Sequence, residues 1–276
     1  MSGSSPIKVA VSNIAWQPTD EEKVADLLRH AGVAGVEVAP TKIWPDLTTV
    51  SHGQARAYGQ SWARAGLPVV AAQSLLYGRP DLTLFGSQRE EFVAYLSRVI
   101  DLCAAMGATA LVFGSPGNRQ RDGLPIETAD RIAVDVFGRL AQRAHAAGTS
   151  LCLEANPAAY GTDYLVRAEE AATLVAAVAS PGLRLHLDTA CMALAGDDAA
   201  ESVLHFAPLL RHAHLSEPHL AAVGTPDPRH ADFVTALRSV DYDRYLSVEM
   251  RPADGDRVAA VERAARYAVA LCGDHR

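Results

Sequence analysis

The hydrophobic pattern of the chain alternates between short apolar runs and longer stretches in which apolar residues recur at the helical period. Each short run has five to seven residues, and most are rich in Val, Leu, Ile and Ala, as expected of strands buried on both faces. We predict eight strands, at Ile7–Ser12, Gly35–Ala39, Leu67–Gln73, Ala108–Gly114, Ser150–Glu154, Leu183–Asp188, Arg211–Leu215 and Tyr245–Glu249.

The segments between these strands carry helix start and stop signals. Thr19–Glu22 and Ser87–Glu90 have the spacing of a capping box, in which a hydroxyl and a carboxylate cap the first helical turn. Gly32, Gly107 and Gly148 follow amphipathic stretches and predict the ends of three helices. The chain therefore alternates strand and helix along most of its length.

This alternation, with roughly 27–41 residues per unit, predicts parallel strands, because a crossover helix must return the chain each time. Eight units in about 250 residues predict a single α/β domain, a (β/α)8 TIM barrel. A doubly wound open sheet is the alternative, but the segment VSNIAWQP after the first strand lacks the glycines of a phosphate-binding turn. We expect residues 1–5 to form a disordered tail and residues 6–276 to form the barrel domain.

Composition narrows the range of partners and cellular locations. The 32 acidic residues outnumber the 25 basic ones, giving a formal charge of −7 without a compensating basic cluster, so we expect no nucleic-acid partner. No apolar run reaches the ~18 residues of a membrane span, and we expect no membrane partner. The four cysteines are widely spaced and we recognise no signal peptide, so we expect a cytoplasmic protein with free thiols.

Four metal-ligand residue types stand at the ends of four consecutive predicted strands: Glu154, Asp188, His214 and Glu249. In a barrel these ends converge on one mouth, where three carboxylates would repel one another and raise their own pKa values. A divalent cation removes that conflict. A lone glutamate at a strand end is more often a solvated rim residue, and a lone histidine more often structural, but four together favour a metal site. We expect one Mn²⁺, with Mg²⁺, Co²⁺ or Zn²⁺ as alternatives.

The segments LEANP, HLDTACM, HAHLSEP and SVEM, in this order, resemble the metal-site segments of the xylose isomerase-like TIM-barrel superfamily, the sugar phosphate isomerase/epimerase family. That superfamily includes sugar isomerases, ketohexose 3-epimerases and abasic-site endonucleases. The resemblance implies that Glu154, Asp188, His214 and Glu249 are the metal ligands. It also implies that the two glutamates are catalytic and shuttle a proton at the carbon beside a carbonyl. It further implies a small sugar-like substrate and an association into homodimers.

Two positions depart from the epimerase pattern. Cys191 stands where a histidine usually follows the aspartate, and Leu220 stands where an arginine is expected after the metal-site histidine. Both put an ordinary free ketohexose in doubt as the substrate. The endonuclease alternative is weak, because the third strand ends at Gln73 and the fourth continues as FGSPG, so the histidines of its zinc cluster are missing.

Nine further residues are candidates for substrate binding, each with a structural alternative. His186 and His212 lie two residues before predicted ligands, so they share the inward face and serve either the site or the core. Arg119 and Arg121, on the loop after the fourth strand, would suit a substrate anion or are simply solvated. The nine are His186, His212, Glu217, His230, Arg119, Asn118, Tyr160, Trp16 and Cys191. For Glu37, on the second strand, we expect a structural ion pair.

These residues together predict a metal-dependent isomerase or epimerase of a sugar-like hydroxycarbonyl compound. Two alternatives remain at this point. One is a lyase or dehydratase acting on a polyol or cyclitol, as in inosose dehydratase relatives. The other is a catalytically silent barrel that serves as a binding subunit.

Overall fold

The computed structural model of the protein describes residues 7–273, in which eight parallel strands form a closed barrel. The predicted tail, residues 1–5, lies outside the described residues. Each strand pairs with the next, and the first pairs with the last, so the open-sheet alternative is wrong. The strands are β1 (Lys8–Ser12), β2 (Gly35–Val38), β3 (Val69–Ala72), β4 (Ala110–Phe113), β5 (Leu151–Glu154), β6 (Leu183–Asp188), β7 (Leu210–Ser216) and β8 (Tyr245–Glu249).

Helices surround the barrel and connect successive strands. Within residues 7–273 they are α1 (Glu21–His30), α2 (His52–Arg64), α3 (Arg89–Met106), α4 (Ile126–Ala146), α5 (Ala168–Val178), α6 (Thr189–Ala195), α7 (Ala199–Phe206), α8 (Pro228–Ser239) and α9 (Arg257–Cys272). The predicted strand–helix alternation is thus confirmed, with one additional short helix, α6, after β6.

Both predicted capping boxes are wrong. Thr19 lies inside a short 3-10 turn, so α1 begins one residue later than expected, with Asp20 at the N-cap position. Gln88, rather than Ser87, precedes the first residue of α3, and its side chain makes no capping bond. The capping box that does form joins Ser51 and Gln54 at the start of α2. The predicted helix ends hold, because Gly32, Gly107 and Gly148 all adopt positive φ.

The register of the strands brings the predicted ligands to one end of the barrel. Asp188 of β6 lies opposite His214 of β7, and Glu249 of β8 lies opposite Ser216, two residues beyond His214. Glu154 lies opposite His186, two residues before Asp188. Because successive side chains alternate between faces, offsets of two residues keep all four predicted ligands on the inward side.

Two apolar cores support this arrangement. The larger one lies between the strands and the helices, and includes Phe92 of α3, Phe113 of β4 and Phe137 of α4. The smaller one contains Ala10, Ala110 and Cys152, whose small side chains fill the inside of the barrel below the inward polar residues. The interior of the barrel is therefore apolar at its base and polar toward its mouth.

No helix within residues 7–273 combines the length and the apolar character needed to cross a lipid bilayer.

The packing of α2 on α3 depends on Gly59. A Cβ atom at this position would lie 1.9 Å from the carbonyl oxygen of Met106, the last residue of α3. The backbones can approach so closely only because glycine has no side chain. Gly138, in the interior of α4, faces open space instead, and a Cβ atom added there would have no neighbour within 4 Å.

We expect Gly59→Ala to lower the free energy of unfolding by about 1–3 kcal/mol, because α2 must move away from α3. Gly138→Ala is the matched control and should raise it by about 0.5–1 kcal/mol through its better helix propensity. Thermal melting and denaturant titration of both variants measure the difference. Equal effects of the two substitutions would contradict the close approach.

Candidate active site

The four predicted ligands come together at the mouth of the barrel. The Nδ1 atom of His214 lies 3.6 Å from Oδ2 of Asp188 and 3.4 Å from Oε2 of Glu249. Glu154, Asp188 and His214, together with His186, offer ligand atoms that all lie within 4.8 Å of one another. The side chains come from four different strands, so the closed barrel, rather than any local motif, creates the cluster.

Hydrogen bonds hold Asp188 in a single orientation. Its Oδ2 atom accepts a 2.6 Å bond from the hydroxyl of Ser216, and its Oδ1 atom accepts a 2.6 Å bond from the backbone N–H of Cys191. The second bond caps the N-terminus of α6. These bonds, with His214, hold the pKa of Asp188 below its ordinary value although burial opposes them. Ser216 was missed in the sequence analysis, although it lies two residues after His214 on the same inward face.

Glu154 is positioned by a chain of buried polar groups. The side-chain amide of Asn156 donates a 2.8 Å bond to Oε2 of Glu154, and Arg119 donates to the backbone oxygen of Glu154 at 2.7 Å. Arg119 also donates to Oδ1 of Asn156 at 2.9 Å. Gly114 makes room for the carboxylate, since a Cβ there would lie 2.2 Å from Oε2. Asn156 was also missed, although it stands within LEANP.

Arg119, a predicted substrate-binding residue, does not line the cavity at the mouth. Its side chain is fully buried, and it donates to Glu154, Asn156 and, at 3.4 Å, the carbonyl of Leu165. Ser115 and Pro116 of the same loop do line the cavity, whereas the Arg119 side chain lies against the end of β5. Arg121 is likewise engaged, with the side chain and backbone of Asp163.

Glu37 fixes the orientation of His214 from below. It is fully buried, and both of its oxygens lie within hydrogen-bond distance of Nε2 of His214, at 3.0 and 3.1 Å. His212 approaches the same carboxylate at 3.4 Å and lies 3.1 Å from the hydroxyl of Ser247. The pair expected for Glu37 therefore forms with two histidines inside the barrel. Burial alone would raise the pKa of Glu37, but His214 and His212 hold it well below its ordinary value.

The other nitrogen of His214 fits a metal ion. When Nε2 donates to Glu37, Nδ1 presents its lone pair toward Asp188 and Glu249, and this buried atom has no hydrogen-bond partner among the described residues. One imidazole nitrogen and three carboxylates form a donor set that suits a hard or borderline divalent cation. The residues present thus fit the predicted ion, which Glu154, Asp188, His214 and Glu249 would hold.

Electrostatic repulsion points to the same conclusion. Burial, followed by the charges of Asp188 and Glu249, raises the pKa of Glu154 to about 8. Burial also raises the pKa of Glu249, although His214 opposes the shift. Without a cation, Glu154 therefore keeps a proton near neutral pH.

His186 and His212 lie in the layer below the ligands, and neither lines the cavity at the mouth. The Nε2 atom of His186 is 3.6 Å from Oε1 of Glu154, and both of its ring nitrogens are buried without hydrogen-bond partners among the described residues. Burial, with the nearby His214, holds the pKa of His186 well below its ordinary value, so its ring is neutral. Their positions agree with the structural alternative, and substrate contact by either histidine stays a prediction.

A cavity of about 430 Å³ opens above the cluster. Of the predicted site residues, it is lined by Glu154, Glu249, Tyr160 and Cys191. The residues that complete the lining are Gln73, Ser74, Val112, Gly114, Ser115, Pro116, Asn156, His219 and Leu220. Most of these were missed because they follow β3, β4 and β7 in loops whose course the sequence pattern does not specify.

Trp16 and Asn118, also predicted to bind substrate, have side chains that support the fold. Trp16 is 1% exposed and packs on Trp62, with their ring centroids 6.1 Å apart. The amide of Asn118 donates to the carbonyl oxygens of Arg79 and Leu82, both at 2.7 Å. Each residue stabilises a loop beside the barrel, and neither reaches the cavity.

Glu217 and His230, two more predicted substrate contacts, do not line the cavity and contact neighbouring side chains. Glu217 lies 3.3 Å from a guanidinium nitrogen of Arg229 and 3.7 Å from Nε2 of His230. His230 is buried, with its ring nitrogens 3.2 Å from the hydroxyl of Tyr267 and 3.3 Å from the carbonyl oxygen of Ser216. Both residues anchor the loop between β7 and α8.

We expect the stability of the metal-free protein to fall as the pH rises from about 5 to about 8. The pKa of Glu154 is raised from its ordinary value to about 8 in the folded state, so the stabilisation from its proton is lost as the pH rises through this range. Saturating Mn²⁺ should remove the fall, because the ion requires this carboxyl group deprotonated. Melting temperatures measured in EDTA and in Mn²⁺ across this pH range test the prediction. A fall in melting temperature that persists in Mn²⁺ would contradict the metal site.

We expect Glu37→Gln to weaken metal binding by about 10–100-fold, because a neutral amide orients and polarises His214 less strongly than a carboxylate. Competition with a chelating indicator dye measures this affinity. Glu90→Gln is the matched control, since Glu90 is exposed and pairs only with Arg139. Unchanged affinity in a folded Glu37→Gln protein would show that Glu37 does not support the site.

Comparison with known proteins gives relatives that act on sugars. A ketose 3-epimerase of Arthrobacter globiformis is 28% identical over 151 residues, which cover 54% of this chain and 51% of that protein. An L-ribulose 3-epimerase of Methylomonas sp. (strain DH-1) is 25% identical over 237 residues, covering 85% of this chain and 79% of that protein. The match thus spans about half the length of the first relative.

Solved structures share the fold at low sequence identity. The apo structure of a 3-keto-D-glucoside 4-epimerase from E. coli superposes with a TM-score of 0.75 at 19% identity, covering 94% of this chain and 97% of that one. The sequence profile of the xylose isomerase-like TIM barrel matches residues 25–271. Because this match covers nearly the whole chain, the protein belongs to the family of xylose isomerase-like TIM barrels.

Proposed function

We propose that this protein is a divalent-metal-dependent epimerase or isomerase of a sugar-like hydroxycarbonyl compound. The observation that carries the proposal is the position of two glutamates, Glu154 on β5 and Glu249 on β8, which both line one cavity. Two strands, carrying Asp188 and His214, separate them. The sugar 3-epimerases and the 4-epimerase among its relatives support the same reaction class.

The reaction requires a proton to leave one face of a carbon and another to arrive. A divalent cation, when bound, supplies positive charge for a carbonyl and an adjacent hydroxyl oxygen and so acidifies the C–H bond between them. One glutamate removes that proton, and the other returns a proton from the opposite face or to the neighbouring carbon. Neither step needs a redox cofactor.

Glu154 is well suited to exchange protons. It lines the cavity, and without a cation burial and the charges of Asp188 and Glu249 raise its pKa to about 8. The Asn156 amide holds Oε2, and Oε1 lies 3.6 Å from Nε2 of His186 and 4.0 Å from the sulfur of Cys191. The buried Arg119, which bonds to both residues, keeps this geometry rigid.

We propose Mn²⁺ as the ion, with Mg²⁺, Co²⁺ and Zn²⁺ as alternatives. Three carboxylates favour a hard cation, whereas the imidazole of His214 adds preference for a borderline one. The set contains no thiolate that would select zinc; the nearest thiol, Cys191, is buried, and burial raises its pKa well above the ordinary value.

Solvent-deuterium exchange tests the proposal. The Mn²⁺-loaded protein in D₂O should place deuterium at the carbon beside the carbonyl of a ketose, an inosose or a 3-keto glucoside, as read by NMR. Glu154→Gln and Glu249→Gln should each slow exchange by about 10²–10⁴-fold. Glu90→Gln, changed at an exposed carboxylate, should keep the full rate.

Metal content by mass spectrometry, on protein purified without chelator, completes the test. About one ion per chain in the wild type and a loss in Glu154→Gln agree with the proposal. Exchange that survives in both glutamate variants would contradict it. A product lighter by one water molecule would instead establish the lyase.

A further inference from the structure

The cavity above the four ligands has two unlike sides. Its floor is polar, formed by Glu154, Glu249, Asn156 and Gln73. An apolar wall is formed by Tyr160, Cys191 of α6, Leu220, Val112 of β4 and Pro116, and Ser74, Ser115 and His219 complete the lining. A free sugar or polyol carries hydroxyl groups in every direction, and burying one without a hydrogen-bond partner is unfavourable. The wall is therefore poorly matched to a fully hydroxylated substrate.

No lysine or arginine side chain lines this cavity in the described part of the chain. Arg119 is buried and bonded to the end of β5, and Arg229 is bonded to Asp227 and Glu217. Four carboxylates, three at the mouth and Glu37 below, surround the site, and a divalent cation neutralises only two negative charges. The field at the cavity therefore disfavours a phosphate or a carboxylate on the substrate.

The apolar wall is held in place by specific contacts. His219 and Leu220 adopt left-handed backbone conformations, with φ of 61° and 56°, which are unfavourable for residues other than glycine. The backbone N–H of His219 donates a 2.9 Å bond to the hydroxyl of Tyr160, and the rings pack edge to face with centroids 5.9 Å apart. The carbonyl of Leu220 accepts a 2.9 Å bond from the backbone N–H of Arg251.

These contacts fix two loops, after β5 and after β7, against each other across the mouth. They keep the leucine at the cavity although its backbone conformation is unfavourable. Leu220 and Cys191 are also the two positions at which the chain departs from the epimerase pattern. Both departures thus lie on the same wall, where they replace polar side chains with weakly polar or apolar ones.

We propose that the substrate is an uncharged keto sugar that carries an apolar group in place of one hydroxyl, either a deoxy carbon or an alkyl or aryl substituent. This inference rests on the proposed function and specifies its substrate class. The hydroxycarbonyl part faces Glu154 and Glu249, and the apolar group packs on Tyr160, Cys191 and Leu220. The volume of about 430 Å³ lies in the range of about 300–1,000 Å³ that accommodates ligands larger than a single small sugar.

The binding of hexitols tests the apolar wall of the cavity without turnover, because hexitols lack the carbonyl group and cannot react. The Mn²⁺-loaded protein is titrated by calorimetry with mannitol, glucitol and galactitol, and with the terminal deoxy and terminal phosphate derivative of each. We expect the best deoxy hexitol to bind about tenfold more tightly than its parent, and every phosphate to bind more weakly than its parent.

Leu220→Arg adds a cation to the wall and should reverse this order, so that the phosphates bind most tightly. Leu220→Met is the matched control, since it keeps an apolar side chain and should retain the wild-type order. Parent hexitols that bind as well as or better than their deoxy forms, tightest binding of a phosphate by the wild type, or no binding by any hexitol would each overturn the inference. Failure of the proposed function is distinct, since it appears as absent deuterium exchange.

Discussion

Repulsion among three carboxylates, two of them buried and one partly buried, is the constraint on which the rest of this structure depends. Glu154, Asp188 and Glu249 leave the core at the ends of three strands and meet where little water can screen them. Such an arrangement is unfavourable unless positive charge or protons compensate it. The surrounding structure therefore serves to keep three acids close while leaving room for a cation between them.

His214 links this cluster to a second buried charge. One of its nitrogens faces Asp188 and Glu249, and the other faces both oxygens of Glu37. A buried carboxylate that engages one face of an imidazole makes the opposite nitrogen a better ligand. Glu37 thus acts through His214 and never needs to reach the cavity, which explains how a polar layer below the mouth can influence the chemistry above it.

Glu154 and Glu249 differ in the contacts that hold them in place. Glu154 is held by the side chain of Asn156 and, through its backbone oxygen, by Arg119, whereas the contact of Glu249 in the cluster is with His214. The upper wall of the cavity is supported independently, by the hydrogen bond between His219 and Tyr160. Because the ligands stand on strands whereas His219 and Tyr160 stand on loops, the family can keep the ligands and change the substrate through the loops.

The local pattern in the sequence was sufficient to predict the barrel and the four residues at its mouth. Apolar runs of strand length, separated by amphipathic stretches, require parallel strands, and the strand ends then bring Glu154, Asp188, His214 and Glu249 together. The same alternation predicts that Glu37, His186 and His212 face the inside of the barrel. Whether such residues contact substrate or only one another depends on how deep in the barrel they lie. That depth is set by barrel closure and register, which local pattern does not encode.

The course of the loops became known only from the tertiary structure. Arg119, Asn118, Trp16, Glu217 and His230 stand near strand ends in the sequence, yet all five fold into contacts with backbone or neighbouring side chains and leave the cavity. Its wall comes instead from loops after β3, β4, β5 and β7, together with Cys191 at the start of α6. Hydrophobic periodicity specifies elements that bury a face, whereas a loop takes its course from hydrogen bonds to distant residues. The sequence by itself therefore determined the fold and the candidate ligands, and the three-dimensional packing decided which side chains line the cavity.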